Sequence, residues 1–124
     1  MILALGTDLV AVDRFAAALR RTPRMRERLF SPAELANFAA DPAPHRLAAR
    51  FAVKEAVAKA LGAPAGLSWH DCEVMTESDG RPVLRLSGGV AAAASAAGLH
   101  TWAVSMTHDG GFAAATVVAT GGSL

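Results

Sequence analysis

Arg50-Phe51-Ala52-Val53-Lys54-Glu55-Ala56-Val57-Ala58-Lys59-Ala60-Leu61, closed by Gly62 and Pro64, is the stretch on which the fold turns. Alanine, valine, leucine and phenylalanine fill it, and Gly and Pro stand where a helix stops. It therefore reads as the last turns of a long helix that starts near Ala43, after the Asp41-Pro42 start signal. At about 100° per residue, Glu55 and Lys59 share one narrow stripe, and Arg50 and Lys54 form another. The chain has ten arginines and two lysines, and both lysines are here. An ammonium is a point charge that suits a phosphate or a carboxylate, whereas guanidinium is a flat fork. Two readings stand at this point. One is an i,i+4 Glu-to-Lys pair on a solvated face, worth a few tenths of a kcal/mol; the other is a face turned to a ligand.

Outward from that helix, the chain alternates strands and helices without a regular βαβ period, which predicts an α+β fold. Ile2-Leu3-Ala4-Leu5 and Leu9-Val10-Ala11-Val12 read as a buried strand interrupted by Asp8, a carboxylate that needs a cation, a metal or several donors there. Asp13 reads as the N-cap of a short helix over Arg14–Arg21, and Ser31-Pro32-Ala33-Glu34 has the form of a capping box. Downstream, His70–Thr76 and Pro82–Leu86 read as a hairpin. Ser87 reads as the cap of a helix over Val90–Ala97. Trp102–Thr107 and Phe112–Ala119 make a second hairpin around Asp109-Gly110-Gly111, with His108 near its tip, and Thr120–Leu124 reads as a frayed tail.

The 124 residues are expected to form one domain, 1–124, with 52% hydrophobic and 19% charged residues. No apolar run reaches the ~20 residues of a membrane span, and no basic leader is seen, so no membrane association is expected. The single Cys72 excludes an intrachain disulfide and a multi-cysteine zinc site. Cys72 itself is read as a small core residue. A cytoplasmic, reducing setting is the expectation. Net charge is +1 and tyrosine is absent, so no nucleic-acid partner is expected. Six arginines, at 14, 20, 21, 24, 26 and 28, lie within fifteen residues and are opposed there only by Glu27, a patch that favours an acidic partner.

By type, the candidate functional residues are Asp8 in a strand, Glu55 on the helix, the two lysines, Arg50 and the late His108. Two carboxylates beside phosphate oxygens make a plausible magnesium site, because Mg²⁺ takes one or two carboxylates and completes its octahedron with substrate and water. Glycine-rich phosphate loops are absent, since Gly88-Gly89 and Gly110-Gly111 match neither common pattern.

Three motifs carry a resemblance. Gly6-Thr7-Asp8-Leu9-Val10 with Arg14-Phe15, then Arg50 to Gly62 with its Lys-Glu-Ala core, then Val104-Ser105-Met106-Thr107-His108-Asp109, resemble the signatures of the holo-acyl-carrier-protein synthases. These are the small bacterial members of the 4'-phosphopantetheinyl transferases. The resemblance covers nearly the whole chain and implies that family's fold, an antiparallel sheet packed against a long central helix. It implies a Mg²⁺-dependent transfer of phosphopantetheine from coenzyme A to a serine of an apo acyl carrier protein, releasing adenosine 3',5'-bisphosphate. By matching position, Asp8 and Glu55 would hold the metal and Lys59 would contact phosphate. Arg50 and His108 would bind coenzyme A phosphates, and Arg14 would face the carrier. Lys54 receives a lesser role. The resemblance also implies a homotrimer with sites between subunits. Two other readings stay open from the residues alone: a non-catalytic module docking an acidic protein through its arginine cluster, and a phosphate or nucleotide binder such as a metal-dependent hydrolase.

Overall fold

The computed structural model describes residues 1–122. Strand β1 (Ile2–Ala11) is followed by helices α1 (Val12–Arg21), α2 (Met25–Leu29), α3 (Pro32–Asn37) and α4 (Pro44–Ala60). A 3-10 turn at Trp69–Asp71 leads into the hairpin β2 (Cys72–Thr76) and β3 (Pro82–Leu86). Helix α5 (Gly88–Ala96) and the hairpin β4 (Thr101–Asp109) and β5 (Phe112–Thr120) complete the order. All pairing is antiparallel, in a three-stranded sheet ordered β1-β5-β4 and a separate two-stranded sheet β2-β3. The α+β class and the long central helix are as expected. The two hairpins lie in separate sheets.

Helix α4 is the hub. It touches β1, β5, β4, β2 and α1, and Ala48, Ala52, Val53, Ala56 and Val57 are essentially inaccessible. So many small side chains let the sheet approach the helix backbone closely. The closest approach is at Gly6, where an added Cβ would stand 1.9 Å from the Ala56 carbonyl oxygen. No side chain fits there. The strand thus lies flat against the helix two residues before Asp8.

Strand β1 is continuous through Asp8, which pairs with Ala115 of β5. It is not buried on both faces, as its apolar composition suggested. Gly6 is buried and Ala4, Asp8 and Val10 are half-buried, while Leu3, Leu5 and Leu9 are 51%, 62% and 64% exposed. A strand alternates faces, so the apolar residues here divide between the core and an open sheet surface.

Several local expectations change. Asp13 lies inside the first turn of α1, which is entered from Ala11 with no side-chain cap; the Val12 N–H instead donates to the Gly111 carbonyl at 3.0 Å. Ser87 does not cap α5. The Asp71 carboxylate does, accepting from the Gly89 N–H at 3.0 Å across the chain. Strand β2 starts at Cys72 rather than His70 because the 3-10 turn occupies 69–71. Thr120 is buried in the sheet opposite Ile2 and Thr101 instead of fraying; Ser123 and Leu124, the end of the expected tail, lie outside the described residues. The Ser31 capping box forms as expected, with both reciprocal bonds present. Among the described residues, no helix is long and apolar enough to cross a membrane.

Candidate active site

Strand β1 and helix α4 bring the two sequence-predicted carboxylates into one cleft. The cleft is about 350 Å³ and is lined by Asp8, Glu55, Arg14, Phe15 and Phe51 among others. Its floor is aromatic: Phe15 of α1 stacks on Phe51 with ring centroids 5.0 Å apart, and Phe51 meets Trp69 at 5.4 Å. These rings fix α1 on α4 and so hold the exposed Arg14 at the rim.

The Glu55 carboxyl is half-buried and is held above the usual carboxylate range, first by burial and then by the charge of Asp8, with Lys59 opposing. A carboxylate whose ionisation is opposed by a neighbouring carboxylate favours a cation beside it. Among the described residues there is no group of three or more His, Cys, Asp or Glu side chains able to hold a metal. A two-carboxylate set suits Mg²⁺, which keeps water and substrate oxygens in its shell, better than it suits zinc.

Lys59 does not form the helical pair with Glu55. Its ammonium reaches across to β1, donating to Asp8 Oδ1 at 2.8 Å and to the Thr7 carbonyl at 3.1 Å. That hydrogen bond to Asp8 is the main reason its pKa is raised, ahead of the opposing desolvation. With 53% of its side chain exposed, Lys59 is free to swing to another anion at little cost.

Arg50 and His108 belong to a second cleft. Arg50 is one turn past Arg46 on α4, and its guanidinium donates to the Arg46 carbonyl at 3.2 Å and to Thr76 Oγ1 at 2.9 Å. It also lies over the Phe38 ring, 5.0 Å from the centroid. Glu55 is five positions after Arg50, which places them about 140° apart around the helix. The structure therefore joins Asp8, Glu55, Lys59 and Arg14 on one side of α4, and Arg50 with His108 on another.

Sequence reasoning undervalued Lys54. Its side chain and that of Glu34 are both fully buried and form an ion pair at 2.7 Å. The ammonium also donates to the carbonyls of Trp69 at 2.9 Å and Cys72 at 2.5 Å, which uses all three of its protons. Glu34 accepts in addition from the Ser31 and Val74 N–H groups, each at 3.0 Å. This node ties α3, α4 and β2 together beside Glu55. The signal was available: the residues one turn from Lys54 on α4 are Phe51, Val57, Ala58 and Arg50, largely apolar. Cys72 is buried and its thiol is pushed up to about 12 by burial, so it is a core residue and no nucleophile.

A family model described as the 4'-phosphopantetheinyl transferase superfamily matches residues 4–117. The chain belongs to this superfamily. A holo-[acyl-carrier-protein] synthase of Salinispora arenicola is 59% identical over 120 residues, which are 96% of this chain and 98% of that one. A crystal structure of the Helicobacter pylori holo-[acyl-carrier-protein] synthase in complex with coenzyme A superposes with a TM-score of 0.80 at 29% identity, covering 94% of this chain and 99% of that one. The Plasmodium yoelii acyl carrier protein synthase with ADP bound gives 0.88 at 25% identity, covering 99% and 98%. Both clefts thus lie on the fold of a phosphopantetheinyl transferase, and the close packing of β1 on α4 at Gly6 brings this transferase's two acidic residues into one cleft.

Proposed function

We infer that this chain transfers 4'-phosphopantetheine from coenzyme A to a serine of an apo acyl carrier protein, leaving the holo carrier and adenosine 3',5'-bisphosphate. The observation that carries the mechanism is the meeting of Asp8 and Glu55 across β1 and α4, with Lys59 beside them. Asp8 and Glu55 would hold Mg²⁺, which when bound offsets the charge on the pyrophosphate and the leaving bisphosphate. Lys59, already within reach of Asp8, turns to a phosphate oxygen as the substrate enters. Arg14, at the rim, faces the acidic carrier, and the exposed Arg20, Arg21 and Arg28 add positive charge in the same stretch of chain. Arg50 and His108 take a coenzyme A phosphate at the second cleft.

The separation of the two clefts supports a homotrimer with shared sites. A single ligand cannot readily span faces about 140° apart on one helix, whereas two copies can each supply one face. The open surface of β1, with Leu3, Leu5 and Leu9 exposed, supports the same reading, since soluble monomers rarely expose such a stripe. Sedimentation at assay concentration checks it, and a monomer that is fully active at all dilutions would remove it. We also propose that residues 1–124 act as one transferase domain, in the cytoplasm, in fatty-acid synthesis.

The test of the reaction is to incubate the protein with apo carrier, coenzyme A and Mg²⁺ and follow the carrier's mass. A phosphopantetheine-sized gain is expected; binding without gain would favour a docking module, and nucleotide release without a carrier would favour a hydrolase. Glu55→Gln is expected to lower the rate by about tenfold or more at limiting Mg²⁺. A rate with unchanged Mg²⁺ dependence would take Glu55 out of the metal role. Arg14→Ala is expected to raise the carrier KM more than the coenzyme A KM, and added salt should reproduce the effect.

A further inference from the structure

Helix α2 is too short to hold itself. Its five residues, Met25–Leu29, are fewer than an isolated helix needs in water, so contacts from outside decide where it lies. Its core anchors are at the C-terminal end, where Leu29 is buried and Phe30 inaccessible. Arg24, at its N-cap, and Arg28 are exposed. The last carbonyls of such a helix need partners. Those of Arg24 and Arg26 accept from the Arg28 and Phe30 N–H groups at 3.1 and 3.0 Å. In a longer helix the Glu27 carbonyl would take the Ser31 N–H, but that group donates instead to Glu34 Oε1 at 3.0 Å, within the capping box of α3. The group that answers Glu27 is a side chain 43 residues on: His70 Nε2 lies 2.7 Å from its carbonyl oxygen. A carbonyl oxygen only accepts, so the proton of this bond is on Nε2, whether or not Nδ1 carries another.

His70 belongs to the 3-10 turn, which is anchored from three other sides. Trp69 packs on Phe51 at 5.4 Å, and so on the aromatic floor of the first cleft. The Trp69 carbonyl accepts from Lys54 Nζ at 2.9 Å, and the Asp71 carboxylate caps α5. The turn is thus tied to α4, the helix that carries Glu55, and His70 joins it to α2 by a hydrogen bond. We propose that His70 is a positioning residue for carrier docking: it holds α2 in place relative to the first cleft, so that Arg24 and Arg28 meet the carrier's acidic surface together with Arg14. The proposal rests on the reading that the acidic carrier docks at Arg14; what it adds is the residue that aligns α2. Charges at a rim orient an acidic partner while their spacing is fixed, and a loose α2 would have to be ordered at docking, which costs affinity.

The test uses the full chain, as His70→Ala and His70→Gln beside the parent. The glutamine amide N–H reaches to about the place of Nε2 and can donate to the same carbonyl. His70→Ala is expected to speed amide hydrogen exchange over 25–30 and to weaken binding of the apo carrier by about fivefold. Coenzyme A affinity stays at the parent value, the carrier KM rises without the coenzyme A KM, and His70→Gln restores most of both losses. Added salt narrows the gap between His70→Ala and the parent, because the docking it disturbs is screened. Unchanged exchange over 25–30 in His70→Ala overturns the proposal and leaves the transferase reading untouched. So does faster exchange with unchanged carrier affinity, or an equal loss of carrier and coenzyme A affinity. A parent that does not bind the carrier overturns the docking reading and the proposal with it, while the carrier-mass assay alone judges the transfer.

Discussion

Lys54→Ala is expected to lower the unfolding free energy by about 3–5 kcal/mol, a large share of the ~5–15 kcal/mol typical of a domain. The reason is what remains. Glu34 would be left in a site without solvent access, its partner gone and only the Ser31 and Val74 N–H groups left to it. The Trp69 and Cys72 carbonyls would lose their donor as well. The double variant Lys54→Met with Glu34→Gln is expected to recover part of the loss, because it removes the buried charge along with its partner. Urea denaturation of the three proteins at one pH reads this out. A single variant within about 1 kcal/mol of the parent would show that water reaches Glu34 and that the pair is not an anchor.

Gly6→Ala is expected to damage both stability and catalysis. A methyl group 1.9 Å from the Ala56 carbonyl oxygen cannot be absorbed by a rotamer, because both the strand and the helix present backbone there. One of them must move by about 1 Å or more, at a cost of about 3 kcal/mol by the standard of overpacked cores. Asp8 is two residues along the same strand, so the displacement passes into its position opposite Glu55. A shift of that size at a reacting centre can cost about a hundredfold in rate. Rates measured well below the melting temperature separate the two effects. A variant that melts early yet turns over normally when cold would show that β1 pivots about Gly6 without carrying Asp8.

The elements were legible in the sequence where local chemistry decides them. Ser31-Pro32-Ala33-Glu34 spelled a capping box, and the paired glycines at 110–111, both with positive φ (56° and 84°), marked a hairpin turn. Expectations failed where a distant residue supplied the group. Asp71 took over the cap expected of Ser87, and the Gly111 carbonyl met the start of α1 where Asp13 was expected to serve. The same applies to charge. Glu34 completes its capping box with one oxygen and neutralises a lysine twenty residues away, and only the second role is invisible to local reading. At the candidate site, the helix angle separated Glu55 from Arg50 in advance, but not the consequence that each faces its own cleft. The Lys59 bond to Asp8 depends on how β1 crosses α4, and no spacing along the chain reports that.

The pairing of β1 with β5 has a temporal consequence. Asp8 leaves the ribosome early, yet its strand partner Ala115 is made more than a hundred residues later. At ~5–20 residues per second of synthesis, the nascent chain carries an unpaired strand of Ile2, Leu3, Leu5, Leu9 and Val10 for about 5–20 s. During that interval β1 has no ladder partner and α4 has no sheet to cover. Chains interrupted before Phe112 therefore retain no partial activity: they present a bare apolar edge, the feature that chaperones hold and proteases clear. The meeting of Asp8 with Glu55 therefore waits on β5, however early the two residues themselves are made.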